Sequence, residues 1–162
     1  MDAHTLTEAE VRERAALLRR FKALLEEKRA KFRAYLAALE AQEKSIAGGD
    51  MLRVEQQADL GDAIVAELYT IQKVIDPVEA MYREIQRSGS AAGGSEPLIP
   101  KLQADLHKLQ DDIVRQNEKN RELLRTSMGE VRAEITALRK PMRRKNVYAA
   151  ESGNASVIDI RT

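Results

Sequence analysis

The chain has 162 residues, of which 33% are charged and 4% aromatic, with no cysteine and no tryptophan. A mixture rich in Ala, Leu, Glu, Lys and Arg suits long helices sharing a narrow core, argues against a compact α/β domain, and excludes disulfide and thiol chemistry. With 27 basic against 26 acidic residues, the net charge of +1 makes the whole chain no polyanion binder, so any basic character is local.

The opening Met1-Asp-Ala-His-Thr5 has neither a positive n-region nor an apolar h-region. No apolar run approaches the roughly 20 residues of a membrane span. The chain therefore reads as soluble and intracellular, with no direct membrane insertion. Thr7 followed by Glu10 has the spacing of a capping box, which predicts a helix starting there, with Thr5 and Glu8 offering a second register two residues earlier. Val11, Leu18, Leu25, Phe32, Leu39 and Ile46 follow at strict sevens, a coiled-coil-like seam. Its second row is mixed: Phe21 and Tyr35 alternate with Arg14, Lys28 and Gln42. Gly48-Gly49 ends this helix, Asp50 is placed to cap the next, and so short a connection makes the two antiparallel.

A second helix is predicted from about Met51 to Ser88, with an unbroken stripe of Ile64, Leu68, Ile71, Ile75, Val78, Tyr82 and Ile85 that must be buried. Pro77 lies inside it and predicts a kink or local break, because proline removes a donor and crowds the preceding turn. Ser88 to Ser95, rich in Gly and Ser, reads as a flexible linker, and Ser95 or Leu98 opens a third helix. There Leu106, Leu109, Ile113, Asn117, Asn120, Leu124, Met128, Val131, Ile135 and Leu138 share one face. The two asparagines in an apolar seam cost stability and fix register. Pro141 ends the pattern within a basic cluster, Arg139, Lys140, Arg143, Arg144 and Lys145, and residues 141–162 form a tail with Val147, Tyr148, Val157, Ile158 and Ile160. The pattern as a whole predicts an all-α antiparallel bundle of three long helices over residues 1–140, with a flexible partner-binding tail over 141–162.

Catalytic and cofactor chemistry is not visible in the sequence, so the chain is not expected to be an enzyme. His4 and His107 stand alone, no Glu-x-x-His pair could build a bundle metal site, and no Gly-rich phosphate loop precedes a Lys-Ser/Thr. The basic cluster has no interleaved aromatics on which bases could stack, so cations complementing a helix C-terminus explain it better than nucleic-acid binding.

The residues Gln116-Asn-Glu-Lys-Asn-Arg-Glu-Leu-Leu124, then Leu138-Arg-Lys-Pro141, Tyr148 and Ser152-Gly-Asn-Ala-Ser156, resemble in order and spacing the C-terminal signature of the FlgN family of flagellar export chaperones. The resemblance covers about a third of the chain. It departs from the family at Ala149, where a glycine commonly follows the tyrosine. What the resemblance implies is a cytoplasmic chaperone that holds hook-filament junction proteins before type III export. Asn120, Leu124, Met128, Val131, Ile135 and Leu138 would bind the terminal helical segment of the cargo, and Tyr148 the cytoplasmic domain of the export gate. A homodimer is compatible with the pattern. The competing reading is a structural coiled coil or a nucleic-acid-associated helical protein.

Overall fold

The computed structural model describes residues 6–88 and 98–139 of the chain, and these form three helices: α1 (Glu8–Ala47), α2 (Met51–Arg87) and α3 (Leu98–Arg139). At 40, 37 and 42 residues they are rods of about 55–63 Å, matched closely enough to share one seam.

The N-terminal boundary of α1 is set by the reciprocal capping box. The Glu10 amide donates to Thr7 Oγ1 at 3.3 Å, and the Thr7 amide donates to Glu10 Oε2 at 2.7 Å. Two donors that no helical carbonyl could reach are thus satisfied. At the other end Gly49 takes φ 72°, the left-handed conformation that costs glycine nothing, and Asp50 caps α2 by accepting the Arg53 amide at 3.1 Å. The hairpin is antiparallel, as expected. Gln42 reaches the Val54 carbonyl near the turn, while Phe21 and Tyr82 stack with ring centroids 4.9 Å apart toward the open end.

The main core lies at that open end. Phe21 and Leu25 of α1, Ile71, Ile75, Val78 and Tyr82 of α2, and Ile99, Leu102 and Leu106 of α3 form one buried cluster. Each such side chain contributes about 1.5–3 kcal/mol relative to an exposed one. The heptad row of α1 is buried unevenly: Leu25, Leu39 and Ile46 are inside, Leu18 and Phe32 half-buried, and Val11 is exposed. The reason is length, since Val11 lies nearly three turns, about 15 Å, beyond the level of Phe21 and Tyr82. The α2 stripe packs as its spacing predicts, with Ile64, Ile71, Ile75, Val78 and Tyr82 buried and Leu68 and Ile85 half-buried. In α3, Ile99 and Leu102 are buried as well, so the stripe begins two turns earlier than Leu106.

Pro77 does not break α2, which runs unbroken from Met51 to Arg87. The proline and Lys73, whose carbonyl loses its helical donor, are both on the exposed face, where water can replace that donor. Closer approach of α1 and α2 occurs at Gly61. A Cβ there would meet the Tyr35 ring at 3.1 Å, so the missing side chain is what lets the ring lie against the α2 backbone.

The chain divides into two compact units, Met1–Leu124 and Arg125–Thr162. Among the described residues, the first holds all of the buried core. Of the second, residues Arg125–Arg139 are described; they are helical, and none is buried. The boundary that the sequence suggests, at Pro141, lies outside the described residues. Among the described residues, no helix is long and apolar enough to cross a membrane.

Candidate functional site

The seam of α3 changes character along its length. Leu106 and Ile113 are buried, Leu109 and Asn117 half-buried, and Asn120 is only 3% exposed. Leu124 is half-buried, and beyond it Met128, Val131, Ile135 and Leu138 are exposed at 50%, 50%, 44% and 85%. The helical spacing that puts these residues on one face continues without a break, so the apolar pattern outlasts its burial. Four large apolar side chains on four successive turns are a different matter from scattered surface leucines.

At the transition sits a buried amide. Asn120 Nδ2 donates to the Leu39 carbonyl at 2.8 Å and to Gln42 Oε1 at 3.1 Å, while its Oδ1 accepts from Gln116 Nε2 at 2.9 Å. Gln116 Nε2 also donates to Glu43 Oε2 at 2.6 Å, and Lys119 Nζ lies 2.6 Å from Glu43 Oε1. The hydrogen bonds from Lys119, and then from Gln116, hold the Glu43 carboxyl below the usual carboxylate range. Gln42 extends the chain of bonds to α2 through the Val54 carbonyl at 3.3 Å. One asparagine therefore ties α3 to α1 and, through Gln42, to α2. The network satisfies each donor of the amide, which is what makes a polar group tolerable at this depth.

Asn120 is thereby placed apart from the other five residues assigned to cargo. Both of its amide hydrogens are used inside the bundle, so it fixes α3 against α1 rather than facing a ligand. Leu124 closes the first unit, and Met128, Val131, Ile135 and Leu138 share one helical face within the second. Asn117 borders a cleft of about 230 Å³ lined also by Tyr35, Gln42, Gln57 and Gly61. Gln57 Oε1 is buried there without a partner in the protein, and so polar a lining suits water better than an apolar ligand. Tyr148, and Lys140, Arg143, Arg144 and Lys145 of the basic cluster, lie outside the described residues. Arg139 closes α3, where a cation complements the helix dipole. His107 is exposed, 3.9 Å from Asp111, and no group of three or more potential metal ligands occurs among the described residues.

Sequence reasoning alone left Gln116, Glu43 and Lys119 out of the network. Gln42 did stand out as a polar residue in an apolar row, as did Asn120. A polar residue in the seam of one helix calls for another in the seam of its neighbour, but spacing within a helix does not say which two meet.

No family model and no solved structure matches the chain. It is 33% identical over 162 residues to a protein of Treponema pallidum (strain Nichols) whose description is "uncharacterized protein", with 99% of each chain covered. Identity at that level over 99% of both chains means that the chain belongs to one family with this Treponema protein.

Proposed function

We propose that the protein is a cytoplasmic export chaperone that binds the terminal helical segment of hook-filament junction proteins and delivers them to the type III export gate. The observation that carries the reading is the exposed face Met128, Val131, Ile135 and Leu138, which continues a stripe that upstream is a packed core. An amphipathic cargo helix would lay its own apolar face on such a stripe, reading it at threes and fours. Methionine at position 128 lets the surface adapt to more than one cargo side chain. The resemblance of the C-terminal signature to FlgN chaperones supports the same partner class and assigns Tyr148 to the gate. Asn120 serves this function indirectly, by holding the packed half of α3 in register.

The test is calorimetric titration of the full chain with the terminal helical segments of the junction proteins and, separately, with the cytoplasmic domain of the export gate. Truncating a central anchor costs roughly 2 kcal/mol, so Met128→Ala with Ile135→Ala should weaken cargo binding at least roughly 30-fold and leave the gate affinity unchanged. Tyr148→Ala should do the reverse. Absence of binding to every junction protein refutes the reading. Loss of cargo, with the gate retained, in Tyr148→Ala refutes the assignment of the two sites. Duplex or single-stranded nucleic acid should not be bound at physiological salt; binding that survives it would favour the nucleic-acid alternative.

A further inference from the structure

The α1–α2 hairpin has two sides, and α3 covers one of them. On α1 that side is marked by Arg29 and Glu43, which pair with Asp105 and Lys119 of α3. On α2 it is marked by Gln72 and Glu79, which line a cleft with Gln103 and Gln110 of α3. The other side carries the ion pair Lys31–Glu67. Stepping one heptad from this pair along each helix, in opposite chain directions because the hairpin is antiparallel, sets Leu24 level with Val74 and Leu17 level with Met81. One heptad the other way sets Ala38 level with Leu60. Leu17 and Leu24 are half-buried and pack against the main core, Ala38 is buried, and the exposed apolar surface comes from Leu60, Val74 and Met81 of α2, at 53%, 39% and 56%. The face is thus three apolar layers with one charged layer between them, in heptad register on both helices.

We propose that a second copy of this chain covers this face, forming a central four-helix bundle about a two-fold axis parallel to the helices. The charged layer selects both the occupant and the axis. Rotation about a parallel axis lays α1 of one copy against α2 of the other and leaves every layer at its own level. Lys31 then meets the partner's Glu67 on both sides of the axis, and apolar layers meet apolar layers. An axis across the helices would lay α1 on α1, bringing Lys31 onto the partner's Lys31 and Glu67 onto the partner's Glu67, like charges in a partly dried layer. Every neighbouring pair in the parallel-axis bundle is antiparallel, the arrangement four-helix bundles favour. From Leu17 to Ala38 the face is about 32 Å long and, across two helices, about 20 Å wide, or roughly 1,200 Å² for two copies, which is the lower edge of specific interfaces. A reversible dimer is expected. None of the residues assigned to cargo above takes part in it.

Sedimentation equilibrium of the full chain from micromolar to millimolar concentration tests the proposal, with far-UV circular dichroism to verify the helix content of each variant. The wild type should dimerise. Val74→Arg and Met81→Arg change side chains that are exposed in a single copy, so either should keep its helices while raising the dimer Kd at least tenfold. Lys31→Glu should weaken the dimer, and Lys31→Glu with Glu67→Lys should restore it, because the alternating charged layer is rebuilt with its signs exchanged. A monomer at every concentration overturns the proposal. So does a dimer indifferent to both arginine variants, including one that is lost instead in Met128→Arg. A dimer lost in Val74→Arg but unaffected by Lys31→Glu overturns the parallel axis.

Discussion

Replacing Asn120 by alanine is the sharpest probe of how the bundle is held together. The side chain is 3% exposed and makes hydrogen bonds of 2.8, 3.1 and 2.9 Å to the Leu39 carbonyl, Gln42 and Gln116. Each bond contributes about 0.5–1.5 kcal/mol net. The partners are not equally harmed. The Leu39 carbonyl keeps its helical donor and Gln116 keeps Glu43, whereas Gln42 Oε1 is left short of a donor at a half-buried position. Asn120→Ala should therefore cost about 2–4 kcal/mol, or about 4–16 °C in Tm for a domain of this size. Leucine, which composition alone would favour in such a seam, regains about 1.5–3 kcal/mol by burial but leaves the same oxygen short, so it should fall between alanine and wild type. Asn120→Asp should be the worst at neutral pH, because a carboxylate would then face the Leu39 carbonyl and Gln42 Oε1, both acceptors. Urea unfolding followed by circular dichroism at equal m-values measures all three. An alanine variant within about 0.5 kcal/mol of wild type would refute the claim that this amide ties α3 to α1.

Ile71→Ala removes a side chain from the main core and should lower stability by about 2–5 kcal/mol in the same assay. Pro77→Ala restores the missing amide donor to an unbroken helix on its exposed face, and should raise stability by about 1–3 kcal/mol; a decrease would mean that the proline sets a bend the core needs. Glu43 is held below the usual carboxylate range by Lys119 and Gln116, so its contribution is complete above the ordinary carboxylate pKa. It is lost as the pH falls through the lowered folded value, and Glu43→Gln should flatten the acid limb of the stability curve there without changing the slope near neutrality. Met128→Glu with Ile135→Glu should leave the unfolding free energy within about 0.5 kcal/mol of wild type, since both side chains are already exposed.

Much of the fold is legible in the chain because local chemistry decides it. Thr7 and Glu10 fix the start of α1, Gly48, Gly49 and Asp50 fix the turn, and the fours and threes from Ile64 to Ile85 fix which face of α2 is inside. Pro77 was a fair warning that the structure overrides, because the cost of an interior proline depends on whether the freed carbonyl reaches water. Asn120 and its neighbours were visible as polar residues in a seam, but not as one network with Gln42 and Glu43.

By itself the sequence determines an all-α chain, the three helical segments, their antiparallel hairpin and the apolar face of each, since these follow from caps, glycines and periods that act over a few residues. The tertiary structure decided that the α3 face is core as far as Leu106 and Ile113, is closed by a buried amide at Asn120, and stands exposed from Met128 to Leu138. It also decided that Lys31 and Glu67 meet, thirty-six positions apart in the chain. Periodicity specifies what a side chain is and which way it points, whereas burial and pairing depend on which helix arrives beside it, and that is a property of the packed bundle alone.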